Sequence, residues 1–425
     1  LLSVGGNPDV APEFVFGSRA PHTRLLRAVL AGILPDREIG RFGLLAQQAQ
    51  PYNAFVRLED LQKTVDRRGD VNALLATAVP GKVAASVTLL QKRLDAVLQL
   101  HDLGLSLSTK EGFLVLESRE FMISAKLAAA VRDVAAEIGA PGLPILTYLA
   151  VTIEGRDRVI PYSTITAVDP PAPESGFPSL YLEDGSLVSD LADDGILLNS
   201  WAANDLGVEV GERISVSYFV PGPGDQLATV SNDFTLQGIV AQRAFAVRRI
   251  LTPPFPGLSE HDNMASWEAP FPLDTRSIRA VDEEYWDLYQ ATPKAFVAGE
   301  TGQNLWRSRF GDLTSIWVGR MDEAGIDVTA REFEEAMLSR LDGGDAGLHF
   351  QPLREQGLEA ASGATEFSGL FIGFSLFLIV SAVLLAVLLF GLGMEKRAPE
   401  VGYLRSIGFS SGAVGRRFTS EGGLL

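Results

Sequence analysis

The chain has 425 residues and a formal net charge of −17, from 53 acidic and 36 basic side chains. This length allows two or three domains with cores of their own, and the acidity argues against a nucleic-acid partner and against a basic patch for anionic lipid. There is no cysteine, which excludes a disulfide framework, thiolate metal sites and a cysteine nucleophile. The four histidines are scattered along the chain, so we expect no histidine metal site.

Residues 1–140 are expected to form a mixed α/β lobe. Four segments carry apolar residues at helical spacing, at 25–33, 58–67, 82–100 and 125–138. Three short apolar runs between turn signals predict strands, at 40–46, 54–58 and 71–77. Apolar and polar residues alternate on both sides of Lys110-Glu111-Gly112, which predicts a β-hairpin.

Residues 141–352 are expected to form a second lobe, richer in β-structure. Six strands are predicted, at 145–154, 158–168, 213–220, 234–247, 296–297 and 315–318. Four helices are predicted, at 199–206, 282–289, 302–309 and 329–341. Five prolines between residues 251 and 272 predict ordered coil or a linker. The acidic runs at 282–284 and 332–335 lack the glycine spacing of a calcium loop, so we interpret them as solvated helix faces.

A long apolar run occupies residues 367–394 and contains no Asp, Glu, Lys or Arg. About 20 apolar residues in a helix cross the hydrocarbon core of a bilayer, so this run predicts a membrane span in contact with lipid. The alternative is a buried helix in the core of a large soluble protein. Residues 353–364 are predicted to be helical and to run directly into the span as one continuous rod.

The residues that flank the span predict its orientation. Lys396 and Arg397 follow the span directly, whereas Glu355, Glu359 and Glu366 precede it. Because Lys and Arg accumulate on the cytoplasmic side, we expect the tail from residue 395 to be cytoplasmic and residues 1 to about 365 to lie outside. Such a large external region needs an upstream signal or span, so we expect the chain to be a piece of a longer polypeptide.

These elements predict an α+β fold class with a large mixed α/β extracytoplasmic region of two or more lobes, followed by one long helix that enters the membrane. The expected divisions are an α/β lobe at 1–140, a β-rich lobe at 141–352, a stalk and transmembrane helix at 353–394, and a cytoplasmic coupling segment with the start of a further span at 395–425. Gly369 and Gly373 form a G-x-x-x-G pair that permits close approach of another helix. The alternative for that pair is chance, since glycine is common in membrane spans.

Residues 367–425 contain an apolar span, then EKR, then E-x-G-x-L-R-x-x-G-F, then E-G at the start of a further span. With these motifs the end of the chain resembles the FtsX-like permeases of MacB/LolE-type ABC transporters. Looser matches to large bacterial members are NAFVRLEDLQ, ILTYLAVTIEGRDRVIPYSTITAV, LLNSWAANDLGVEVGERISVSYF and TPKAF. The resemblance implies that the family's first span precedes residue 1 and that its remaining spans follow residue 425.

The resemblance further implies a non-enzymatic permease subunit in a bacterial inner (plasma) membrane. This chain would bind no cofactor, because ATP would be bound by a separate cytoplasmic ATP-binding subunit. A second permease copy or a paralogue would complete the membrane part, and nucleotide-driven motion would be transmitted outward. Export or release of lipoprotein, lipid, peptide or drug would be the outcome. The residues expected to couple to the ATPase are Arg397, Glu400, Gly402, Leu404, Arg405 and Gly408.

Within the coupling segment, Val401, Leu404 and Ile407 are predicted to share one apolar face that supplies most of the contact. Arg405 would orient acidic groups of the partner, and Pro399 would break the rod after the span. The alternative for this segment is a membrane-surface helix that only anchors the span. Two other functions remain open, a tethered ligand-binding sensor and a tethered enzyme, although the sequence contains neither a G-x-S-x-G elbow nor H-E-x-x-H.

Overall fold

A computed structural model describes residues 1–5, 10, 15–17, 23–35, 38–44, 51–77, 83–222, 226–242, 251–320, 326–362 and 367–422. The chain forms two compact units. The first comprises residues 1–34 and 54–351, and the second comprises residues 35–53 and 352–425.

The first unit contains all the strands named below and seven of the helices. Its helices are α1 (Leu58–Val65), α2 (Val83–Asp95), α3 (Ala125–Glu137), α4 (Ser200–Leu206), α5 (Ala280–Tyr289), α6 (Gly299–Trp306) and α7 (Ile326–Leu338). Its strands are β1 (Leu2–Gly5), β2 (Thr23–Leu26), β3 (Leu105–Lys110), β4 (Phe113–Ser118), β5 (Gly142–Gly155), β6 (Arg158–Ala167), β7 (Gly195–Asn199), β8 (Arg213–Pro221), β9 (Leu227–Val240), β10 (Ala295–Val297) and β11 (Ser315–Arg320).

Nine strands form one sheet in the order β3-β4-β11-β5-β6-β10-β7-β9-β8, while β1 and β2 pair separately. Strand β8 also pairs with β5. The six strands β5, β6, β10, β7, β9 and β8 therefore close into a small barrel. One edge of β5 pairs with β11 over residues 142–145 and with β8 over residues 150–155. The long strand β5 therefore belongs both to the barrel and to the open sheet β3-β4-β11.

The hairpin that the sequence predicts around Lys110-Glu111-Gly112 is present. Glu111 and Gly112 connect β3 to β4 and both have positive φ, at 50° and 85°. Such a two-residue turn matches the twist of the two strands, and glycine adopts its conformation without strain. Ser124 caps helix α3 at its N-terminal end, and its hydroxyl accepts a hydrogen bond from the backbone N–H of Leu127. The predicted α+β class, with one long apolar helix near the end of the chain, is confirmed.

The barrel and the open sheet share a large apolar core. Phe16 lies at its centre and contacts Phe121, Phe255 and Phe271, with ring centroids 4.8 to 6.2 Å apart. The segment 251–272 is ordered coil rather than a linker, because Leu251 and Phe255 are fully buried. Helices α3 and α7 contact one another, and α7 also covers β3 and β4.

Several local predictions near the start of the chain are wrong. Residues 23–26 form β2, paired with β1, and residues 27–35 have no regular structure. The helical spacing there fails because Val29 and Ile33 remain about nine-tenths exposed, so no apolar surface stabilises a helix. The strands expected at 54–58 and 71–77 are also absent, and residues 38–41 form a 3-10 turn where a strand was expected from residue 40. Residues 45 and 46 lie outside the described residues.

The second unit contains α8 (Leu353–Ser362), α9 (Phe367–Lys396), α10 (Ala398–Ser406) and α11 (Ser411–Gly422). The junction expected to make a continuous rod falls on residues 363–366, outside the described residues. The domain boundaries expected at residues 140 and 352 stay predictions. The nine-stranded sheet contains strands from both sides of residue 140.

Candidate functional site

Helix α9 is long and apolar enough to cross a membrane. Its apolar part, Gly369–Lys396, has 28 residues and a length of about 42 Å. Every side chain from residue 369 to residue 393 is exposed. Each large apolar side chain left in water forgoes about 1.5 to 3 kcal/mol of burial free energy, so this helix requires an apolar environment.

Gly369 and Gly373 lie one turn apart on α9, as the predicted G-x-x-x-G pair requires. A Cβ atom added at either glycine would meet no other heavy atom within 4 Å. No described element of the chain therefore packs against this face, and its role in helix association stays a prediction.

The break after the span is confirmed. Helix α9 ends at Lys396 and α10 begins at Ala398, with Arg397 between them at φ −99° and ψ 10°. Pro399 occupies the first turn of α10, where its missing N–H costs no hydrogen bond within the helix. Proline thus starts a new helix rather than extending α9.

Helices α10 and α11 form an antiparallel hairpin. The guanidinium of Arg397 donates to the Glu421 carboxylate at 2.9 Å, which joins the start of α10 to the end of α11. Val414 and Phe418 of α11 are buried, and the Arg397 guanidinium lies 6.0 Å from the Phe418 ring centroid. Gly408 lies in the turn with φ 97°, which requires glycine.

The hairpin leaves some of the predicted coupling residues exposed and partly buries others. Glu400, Gly402 and Arg405 are exposed, whereas Leu404 and its neighbour Val401 are half-buried. The apolar side chains that α10 and the turn leave exposed are Tyr403, Ile407 and Phe409, at 70%, 57% and 51%. A partner that approached the hairpin would meet these three rather than Val401 and Leu404. The coupling role of the predicted residues stays a prediction.

A second cluster, which the sequence reasoning missed, lies inside the first unit and combines buried charges with aromatic rings. Asp282 is fully buried. Its carboxylate accepts three hydrogen bonds from Arg279, donated by the backbone N–H, by Nε and by one terminal guanidinium nitrogen, at 2.8 to 2.9 Å. Arg279 also donates to Asp205 at 2.6 Å. The expectation that residues 282–284 are a solvated face is therefore wrong for Asp282, because this carboxylate caps α5 and faces inward.

Lys294 is the buried cation of this cluster. Its Nζ lies 4.5 Å from the Trp201 ring centroid, 4.6 Å from that of Tyr285 and 3.9 Å from Oδ1 of Asp282. Burial lowers the pKa of Lys294 to about 8, against the opposing effect of the Asp282 carboxylate. The two rings and the carboxylate replace part of the hydration that the ammonium loses.

Asn199 connects α4, α5 and the segment before β10. Its Oδ1 accepts the N–H of Ala202, and its Nδ2 donates to the Tyr285 hydroxyl at 2.9 Å and to the Pro293 carbonyl at 3.1 Å. The segments NSWAAND and TPKAF thus meet at one point. The cavity beside them has a volume of about 20 Å³, room for one water molecule. This cluster stabilises the fold and has no space for a larger ligand.

Within the described ranges, no group of three or more His, Asp or Glu side chains lies close enough together to hold a metal ion.

The chain shows limited similarity to known proteins. No family model and no curated protein matches the sequence. Among solved structures, the periplasmic region of MacB from Actinobacillus actinomycetemcomitans aligns at a TM-score of 0.31 and 9% identity, over 57% of this chain and 88% of that one. A domain assigned to a permease protein from Porphyromonas gingivalis aligns at a TM-score of 0.24 and 13% identity, over 48% of this chain and 65% of that one. Each is a partial likeness at low identity.

Proposed function

We propose that the chain is the extracytoplasmic region, one span and the coupling segment of an ABC transporter permease. The observation that carries the proposal is the sequence E-x-G-x-L-R-x-x-G-F directly after an apolar helix. The exposed apolar surface of α9 and the helical hairpin that follows it support this assignment. The chain itself has no catalytic role and transmits motion, driven by ATP in a separate cytoplasmic subunit, to the large region before the span.

The membrane is the bacterial inner (plasma) membrane, with the tail from residue 395 inside. The basic residues after the span support this orientation. The other membrane partner is a second permease copy or a paralogue. The released or exported species belongs to the lipoproteins, lipids, peptides or drugs, as the resemblance implies.

In the proposed coupling, the ATPase contacts the exposed side of the hairpin. Tyr403, Ile407 and Phe409 supply apolar contact area, and Arg405 attracts acidic groups of the partner. Leu404 and Val401 support this surface from within the hairpin. Gly402 is exposed and has no other heavy atom within 4 Å of an added Cβ, so a partner backbone can approach there.

The test uses the full chain with its neighbouring spans and its ATPase in lipid nanodiscs. Ile407→Glu places a charge in the exposed apolar surface. It should reduce at least tenfold the degree to which the permease stimulates ATP hydrolysis by the ATPase subunit. Ser420→Glu, an exposed position on α11, is the matched control and should leave the stimulation unchanged. A fully stimulated ATPase with Ile407→Glu would refute coupling through this surface.

Orientation has its own test. Single cysteines at Ser231 and Ser411, in a chain without native cysteine, report the two sides of the membrane. Only Ser231→Cys should react with an impermeant thiol reagent in intact cells. Equal reaction at both positions would refute the orientation.

A further inference from the structure

Among the strands that the structure describes, β3 lies at one edge of the nine-stranded sheet. It pairs there with β4 alone, with Lys110 opposite Phe113 and Leu105 opposite Ser118. A two-residue turn is closed by a hydrogen-bonded pair, and hydrogen-bonded pairs alternate along antiparallel strands. The backbone groups of Leu105, Leu107 and Thr109 therefore point away from β4. No backbone hydrogen bond connects them to any residue in the described ranges.

A groove of about 940 Å³ follows this open edge. Residues 105–109 form one wall, and the proline-rich coil 253–270 forms part of the opposite wall. That coil is held in place, because Gly257 has φ 75° and its carbonyl accepts the N–H of Glu268 at 2.8 Å. The groove thus lies between a strand edge and a second ordered wall.

Acidic side chains dominate the charge of this groove. Glu260, Glu268 and Glu334 line it, and none forms an ion pair with a cation in the described part of the chain. Glu117 also lines it, but its carboxylate is neutralised by Lys110 at 2.7 Å. Arg119 also lines the groove, with its guanidinium on the His101 carbonyl, and offsets one of the three acids. The groove therefore keeps a net negative charge of about two.

We propose that the β3 edge and the acidic groove bind an extended, basic segment of a partner protein by strand addition. Leu105 is buried, so the accessible part of β3 is residues 106–110, which span about 17 Å and fit a segment of about five residues. The backbone of that segment would pair with Leu107 and Thr109, and its Lys or Arg side chains would lie near Glu260, Glu268 and Glu334. This binding site is independent of the coupling surface and goes beyond the proposed function.

Charge favours such a partner over a second copy of this chain. Pairing β3 with β3 of another copy would bring two acidic grooves together. Like charges at close range oppose association, whereas a basic segment gains attraction along the same edge.

The test selects octapeptides from a random phage-displayed library on the full chain in nanodiscs. Thr109→Pro removes one outward N–H from an exposed position, and Thr109→Ala removes the same side chain but keeps that N–H. Selected peptides should be rich in Lys and Arg and should bind Thr109→Pro at least tenfold more weakly than Thr109→Ala. N-methylation of alternate peptide residues should weaken binding at least tenfold. Equal thermal unfolding of the two variants confirms that both are folded.

Charge is tested by a second matched pair. The double variant Glu260→Gln, Glu334→Gln should weaken binding of the selected peptides about fivefold or more, since two of the three acids without an ion pair in the described ranges are lost. Glu284→Gln, on an exposed position of α5 away from the groove, should not change it. A selection without basic enrichment, or peptides that bind all variants equally, overturns the proposal. Dimerisation of the wild-type chain that Thr109→Pro abolishes also overturns it, in favour of a second copy.

Discussion

The buried ionic cluster allows a quantitative prediction. Asp282→Asn keeps the shape of the side chain and removes its charge, which leaves Lys294 buried without its carboxylate. Asp282 accepts two guanidinium hydrogen bonds from Arg279, at 2.8 and 2.9 Å. Hydrogen bonds to charged groups contribute about 1.5 to 3 kcal/mol each, and breaking a buried ion pair costs about 3 to 5 kcal/mol. We therefore expect Asp282→Asn to lower the free energy of unfolding by about 4 kcal/mol, which is a large part of the stability of a typical domain.

The assay is denaturant unfolding in detergent, followed by tryptophan fluorescence, because Trp201 and Trp286 lie in or next to the cluster. Glu284→Gln, an exposed acid on the same helix, is the control and should change the free energy of unfolding by less than about 0.5 kcal/mol. Adding Lys294→Met to Asp282→Asn removes the stranded cation, so the double variant should recover at least about 1 kcal/mol. A loss below about 1 kcal/mol for Asp282→Asn, as for a surface pair, would refute the reasoning.

Three further predictions concern titration, the span and the hairpin. Burial holds the pKa of Lys294 at about 8, so between pH 8 and its ordinary 10.5 the unfolded chain binds this proton more tightly. Stability should therefore rise by about 3 kcal/mol over that range in the wild type but not in Lys294→Met, measured by denaturant unfolding. Gly373→Leu should lower the yield of complex with the neighbouring spans, measured by co-purification, whereas an unchanged yield would favour chance occurrence of the glycine pair. Phe418→Ala should destabilise α11 by about 3 kcal/mol and speed the exchange of its amide protons, because Phe418 is buried. Glu421→Gln, in a half-exposed ion pair, should change the stability of α11 by less than about 1 kcal/mol.

The elements that could be predicted from the sequence are those whose signals are local. The turn Glu111-Gly112 places β3 and β4, and the spacing of apolar residues places α3 and the first part of the helix expected at 82–100, which ends at Asp95. The span and a break after it follow in the same way from a charge-free run and Pro399, although the helix ends at Lys396, two residues beyond the predicted end of the span at Met394. Local chemistry is sufficient where the same residues both form the element and end it.

The failures arise where a distant partner decides the outcome. Residues 25 and 26 belong to β2 because β1 lies beside them, although their spacing favours a helix. The ionic cluster could not be predicted because Asp205 lies far from Asp282 and Lys294 in the sequence. They meet only because β10 pairs in parallel with β6 and antiparallel with β7, which brings the end of α4 to the start of α5. No spacing rule in one chain contains that information.

The shared strand β5 has a consequence for how the first unit opens. Its residues 142–145 pair with β11 and its residues 150–155 pair with β8, along one continuous backbone. Tension applied along β5 loads the hydrogen bonds of the barrel and of the open sheet in shear and together, rather than one after another. The two parts should therefore behave as one cooperative unit under force, and their slowest amide protons should exchange with solvent at a common rate.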